Sequence, residues 1–290
     1  MKISKLEKNF YSWSLYDRGL SPITIQDYQR SLNVFKTDIG DLPVEKITLD
    51  HFTKWKKKCM ERGVGRYCIA GYIFNLRTFL RYCRLKGFKM IDPSDIKPPK
   101  FIKKEVIVLN NKEVKKFTEN IDINKIEGLR NRTLVETLLG TGMRISEALS
   151  LNISDIRNGE AKITGKGGRS RIVYFSNRAL FWIEKYLNAR TDNSPALFIT
   201  HCQEGKRISL AVFQSWIPRY RRQIKMDYKP ISAHIFRHTF CTNLLRNGCD
   251  ITYIQRLAGH ERIDTTIRHY INLDQRALKE AHQKYLSYDV

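Results

Sequence analysis

A chain of 290 residues exceeds the usual size of a single hydrophobic core, and its 42% apolar content is ordinary for a globular protein. No apolar run nears the roughly 20 residues of a membrane span, and the charged start MKISKLEKNFYSW lacks the apolar core of a signal peptide. The charge is lopsided: 52 Lys+Arg against 29 Asp+Glu give a net +23, carried by both halves, which points to a polyanion and most simply to nucleic acid.

The first hundred residues read as helices. Residues 5–18 place Leu6, Phe10, Trp13 and Tyr16 at a helical spacing and end at Gly19. Ser21-Pro22 is a cap followed by a first-turn proline, opening a helix with Ile25, Tyr28, Leu32 and Phe35 inward. Thr48 caps a third helix, in which Phe52, Trp55 and Cys59 face the core beside Lys54, Lys56, Lys57 and Lys58. After Gly63-Val64-Gly65 a fourth helix runs to about Lys86 on a stripe of Ile73, Leu76, Leu80 and Cys83. Its Arg66, Arg77 and Arg81 are candidate phosphate contacts, although such a face also reads as a solvated surface. Residues 92–105, rich in Pro and Lys and without period, read as a linker.

The second half opens with a helix capped near Asn110-Asn111. A buried helix follows at about 130–139, closed by Gly140, and then TGMRISEALSL puts Arg144 at the mouth of a short helix. Arginine beside a helix N-terminus suits an anion, because the backbone N–H groups and the macrodipole add to its charge. The blander reading is a pair with Glu147, and a carboxylate there could also hold the guanidinium in place. EAKITG and RIVYFS flank KGGRS as a β-hairpin with Lys166 at its tip and Arg169 beside it. The GKGG string lacks P-loop spacing. Helices at about 177–190 and 209–225 are separated by a strand-like ALFIT, and the later one carries Arg221 and Arg222 as further candidate DNA contacts.

HIFRHTF, residues 234–240, then lies in a helix with Ser232 as N-cap, Phe236, Phe240 and Leu244 at helical period, and Gly248 as stop. His234 and Arg237, three apart, leave one face, where the guanidinium can fork onto two phosphate oxygens and the imidazole can handle a proton. Asp250 caps a short helix ending in LAGH, with His260 after Gly259, and DTTIRHY carries Tyr270. The tail at about 275–285 is a polar helix. Six scattered cysteines without a C-x-x-C pair imply reduced thiols and no structural zinc, and His201 beside Cys202 makes a poor ligand pair.

Arg144 in TGMRISEAL, Lys166 in the hairpin turn, His234 and Arg237 in HIFRHTF, His260 in LAGH and Tyr270 in TTIRHY together resemble the tyrosine recombinase (phage integrase-like) family, in order and in spacing. The resemblance covers the whole second half and, on weaker motifs, the helical first half. Tyr270 stands ten residues after His260. Xer-type members usually have nine and integrases of mobile elements often ten, so the subfamily stays open.

The resemblance implies a mainly α, two-domain chain of the DNA breaking-rejoining fold. A four-helix SAM-like core-binding bundle (1–91) and a linker (92–105) would precede a mostly helical catalytic domain (106–290) with a small antiparallel β-sheet. The two domains would clamp double-stranded DNA at inverted-repeat sites, four protomers to a synapse. It further implies Tyr270 as nucleophile and Arg144 and Arg237 on the non-bridging phosphate oxygens. Lys166 would be the general acid, His234 an assisting base and His260 a phosphate ligand, with no metal, cofactor or ATP. A cytoplasmic, nucleoid-associated enzyme is expected. A type IB topoisomerase uses the same chemistry to relax DNA, and a non-catalytic DNA-binding protein could keep the fold; the complete set of six positions argues against the latter.

Overall fold

The computed structural model describes residues 1–101, 106–164, 170–201 and 205–259. The chain divides into two compact units, Met1–Lys104 and Glu105–Val290. Among the described residues no helix is long and apolar enough to cross a membrane.

The first unit is built from helices α1 (Ile3–Ser12), α2 (Pro22–Ile39), α3 (Leu49–Glu61) and α4 (Arg66–Leu85). Ser21 caps α2 by accepting from the Thr24 N–H, with Pro22 fixed in the first turn. Gly65 stands at the N-cap of α4. The stripes expected on α2, α3 and α4 are all buried, and they close on an aromatic centre. The Phe10 ring lies 5.0 Å from Tyr28, 5.3 Å from Phe79 and 5.5 Å from Tyr82. Phe10→Ala would leave a cavity among three helices, and the full chain should lose about 3–5 kcal/mol in urea unfolding.

Two expectations fail here for identifiable reasons. The first helix does not continue to Arg18 as one α-helix, because a π-helical turn occupies Trp13–Asp17. A π turn inserts residues into the helical register. Ser14 therefore turns into the core and Tyr16, placed on the buried stripe by its spacing, is 78% exposed. The stretch after α4 is also less free than its composition implies. A 3₁₀ turn at Pro93–Asp95, capped by Asp92, leads to Ile96, which lies in the first unit's core. Arg84 pairs with Asp92 at 2.6 Å.

The second unit surrounds α6 (Ile126–Thr141), which packs against α8 (Asn177–Asn188) and α10 (Ala233–Arg246). Around them lie α5 (Asn111–Glu119), α7 (Ile145–Ser150), α9 (Leu210–Gln223) and α11 (Ile251–Ala258). A reciprocal capping box links Asn110 and Glu113 at the start of α5. α6 is buried nearly all round, its polar residues included. Its buried charges are partnered: Glu136 bridges Arg132 at 2.9 Å and Arg178 at 2.8 Å, and Arg130 donates to the Ile199 carbonyl at 2.9 Å. Gly140 does not end this helix. It lies inside it, where a Cβ would collide with the Ser176 hydroxyl at the head of α8. The stop is Gly142, in the left-handed conformation at φ 62°.

The sheet has three antiparallel strands in the order β1 (Ile156–Arg157), β2 (Glu160–Thr164), β3 (Ser170–Tyr174), with Ala161 opposite Val173 and Ile163 opposite Arg171. β1 is an addition to the expected hairpin. ALFIT, buried from Ala196 to Ile199, bends at Leu197 and Phe198 and forms no regular strand, dividing its pairing between Asn152 and Arg207.

Candidate active site

Local sequence decides where each functional side chain begins. Gly142 turns the chain out of α6, so that Arg144 becomes the N-cap of α7 with extended backbone. Its own N–H donates to Glu147 Oε2 at 2.7 Å. Ser232 holds the N-cap position of α10 by its extended backbone, without a side-chain bond. This puts His234 in the exposed first turn and Arg237 one turn further, in the core. Asp250 caps α11, and Gly259 ends it in the left-handed conformation.

Those starting points bring two arginines, 93 positions apart in the sequence, to the same place. Arg237 is 5% exposed and donates Nη1 to the Gly142 carbonyl at 2.6 Å and Nη2 to the Ala258 carbonyl. Arg144 donates Nη1 to Glu147 at 3.0 Å and Nη2 to the next carbonyl along, that of Gly259, at 3.2 Å. The two guanidiniums thus grip consecutive carbonyls at the end of α11. Arg144 keeps 38% of its side chain exposed. A guanidinium has five N–H donors, so both arginines retain donors beyond these contacts.

Electrostatics follow from the burial. Loss of water, with the neighbouring Arg144 charge as the second cause, pushes Arg237 down to about 10, yet it stays protonated at neutral pH. Burial alone would raise the Glu147 carboxyl, but hydrogen bonds and charge from Arg171 and Arg144 outweigh that and hold it below the usual carboxylate range. Arg171 donates to Glu147 at 3.0 and 2.9 Å.

Lys166, Arg169, His260 and Tyr270 lie outside the described residues, as does Cys202. Of the candidate DNA contacts, Arg66 and Arg81 are exposed on α4. Arg77 on the same helix points elsewhere, donating to the Ser94 and Ile96 carbonyls at 3.2 and 2.5 Å and so tying the 3₁₀ turn to α4. Arg221 pairs with Asp227 at 3.2 Å, and Arg222 is exposed beside the Pro218 carbonyl. His201 bonds the Tyr186 hydroxyl at 2.9 Å.

Residues 108–276 match the phage integrase family, and residues 8–87 its N-terminal SAM-like domain. The chain belongs to the phage integrase family. It is a tyrosine site-specific recombinase, 30% identical to tyrosine recombinase XerD of Oceanobacillus iheyensis over 96% of this chain and 97% of that one. Tyrosine recombinase XerC of Vibrio campbellii is 27% identical over 97% and 92%. Among solved structures, the Tn1549 transposon integrase with transposon right-end DNA superposes with a TM-score of 0.81 at 18% identity, covering 99% of this chain and 100% of that one. XerH bound to a palindromic difH substrate gives 0.75 at 22% identity, over 91% and 81%. The expected fold, a SAM-like helical domain before a mostly helical catalytic domain with a small antiparallel sheet, is the observed one.

Within this recombinase the sequence reading overlooked Arg171 and Gly142, whereas Gly259 ends α11 as its sequence implied. Strand alternation carried a signal for the first: Val173 is buried and Ile172 and Tyr174 are exposed, so Arg171 is an arginine at an inward position. Gly142 supplies the carbonyl that Arg237 grips, and a Cβ there would overlap the Phe240 ring. Gly142→Ala combines that clash with a positive φ, so a destabilisation of about 1–3 kcal/mol is expected from thermal or urea unfolding.

Proposed function

We propose that this recombinase cuts and rejoins double-stranded DNA by two successive transesterifications. Tyr270 attacks the scissile phosphorus, forming a 3′-phosphotyrosyl bond as the bond to the 5′ oxygen breaks, and the phenol's proton passes to His234. Lys166 returns a proton to the departing 5′ oxygen. Arg144 and Arg237 hold the non-bridging oxygens, where charge develops in the transition state, and His260 adds a hydrogen bond. The phosphotyrosyl link conserves the bond energy, so rejoining needs no ATP, metal or other cofactor.

The observation that supports this reading best is the convergence of Arg144 and Arg237 on adjacent carbonyls at the end of α11, the helix that directly precedes His260 in the sequence. Residues 1–91 then form the core-binding domain and 106–290 the catalytic domain, with Arg66, Arg81, Arg169, Arg221 and Arg222 toward phosphates, Arg77 being committed to the fold. Inverted-repeat sites, a four-protomer synapse and a cytoplasmic, nucleoid-associated location complete the proposal.

Strand exchange tests it. Two labelled duplexes from the DNA flanking the gene, or from a chromosome-resolution-type site, should yield recombinant strands, and cross-linking of that mixture should give a four-protomer species. The duplex exchanged assigns the role, chromosome dimer resolution or mobile-element integration and excision. Relaxation of any supercoiled plasmid by a monomer, without exchange, would contradict it.

A further inference from the structure

We propose that Arg171 is a positioning residue for DNA cleavage: from β3 it fixes the carboxylate that orients Arg144, and keeps that site cationic. The inference rests on the role given above to Arg144.

Three observations carry it. Glu147 is 6% exposed, and its two oxygens are shared evenly between two arginines. Oε1 accepts Arg144 Nη1 and Arg171 Nη1, both at 3.0 Å, while Oε2 accepts the Arg144 backbone N–H at 2.7 Å and Arg171 Nη2 at 2.9 Å. A carboxylate held by Arg144 alone could swing with it; the two-pronged grip from β3 removes that freedom. Second, the Arg171 guanidinium lies against Gly259, where a Cβ would be 2.8 Å away. The Gly259 carbonyl is the other acceptor for Arg144, so Arg171 bonds one of the groups that hold it and lies beside the residue that supplies the other. Third, the charge balance matters. Glu147 alone would neutralise Arg144, whereas Arg144, Arg171 and Arg237 against one carboxylate leave a formal excess of +2 facing a phosphate.

Arg171 is only 15% exposed, and both of its terminal nitrogens are engaged by Glu147. That distinguishes it from Arg144, whose side chain stays accessible. It acts through Arg144 and does not itself reach the DNA. β3 also follows Lys166 closely in the sequence, so the brace ties the strand next to that residue to the arginine pair.

The test is single-turnover cleavage of a nicked duplex that traps the wild-type protein, at saturating DNA, alongside duplex affinity and thermal unfolding. Arg171→Ala should slow cleavage on the order of 10²-fold, the scale of a misplaced catalytic group, with duplex affinity close to wild type. Arg171→Lys, which restores charge but not the two-pronged grip, should recover part of that loss in a fully folded protein. Combined with Glu147→Gln, the Arg171→Ala loss should be far from additive. Wild-type cleavage by Arg171→Ala would overturn the inference. So would a loss confined to duplex affinity, or a Lys variant that folds normally yet cleaves no better than Ala. If the wild-type protein traps no duplex at all, the role of Arg144 fails first and this inference falls with it.

Discussion

Arg237→Ala is expected to lower single-turnover DNA cleavage on the order of 10³-fold, the upper end of what one preorganised donor contributes to an anionic transition state. On the proposed mechanism the residue has two tasks that the substitution removes together. It offers charge where the phosphate develops it, and it joins the Gly142 carbonyl at the end of α6 to the Ala258 carbonyl at the end of α11. Leaving those carbonyls without their donor should also cost about 1–3 kcal/mol of stability. Arg237→Lys separates the tasks. An ammonium is a point charge that cannot span both carbonyls and still present two donors, so the Lys variant should fold better than Ala while cleaving almost as poorly. Cleavage and unfolding measured on the same preparations decide this. A Lys variant that cleaves within a few-fold of wild type would show that Arg237 acts by charge alone.

How much of this was legible in the sequence depends on whether a residue's role is set by its near neighbours. Ser21-Pro22, Asn110 with Glu113, and Asp250 all define helix starts through contacts within four residues, and each lies where its sequence placed it. The HxxR spacing likewise put His234 and Arg237 on α10, although burial separates them, one exposed and one in the core. What stayed hidden was long-range. Gly140 and Gly142 look alike in sequence, and only the approach of α8 to one and of Phe240 to the other assigns packing to the first and the turn to the second. Arg77 sits among the basic residues of α4, and only the return of the chain at Ile96 shows that its guanidinium is taken. The π turn at Trp13–Asp17 shifted Tyr16 outward with no local marker. Arg171 was readable in principle, since an arginine on the inward side of a strand needs a buried partner. That the partner is the carboxylate beside Arg144 is a fact of tertiary structure.

Tyr270→Phe has the largest expected effect of all. It removes the phenolic oxygen, the proposed nucleophile, and nothing else of the side chain, so covalent chemistry should cease while duplex affinity persists. The proposal that the other groups serve one phosphate depends on that oxygen: the arginine pair stabilises charge created by its attack, and Lys166 and His234 move protons that the attack displaces. A loss of cleavage without loss of binding would separate the nucleophile from the DNA contacts of both units.

The most direct measurement is therefore covalent trapping on nicked duplexes drawn from the DNA around the gene and from a chromosome-resolution-type site. Wild type and Tyr270→Phe are run side by side on a denaturing gel. The account predicts a protein–DNA adduct with wild type, joined through a 3′ phosphate, that is absent with Tyr270→Phe although both proteins shift the same duplex in a native gel. An adduct that survives in Tyr270→Phe would contradict the assignment of the nucleophile. No wild-type adduct on any duplex that it binds tightly would contradict the cleavage mechanism itself.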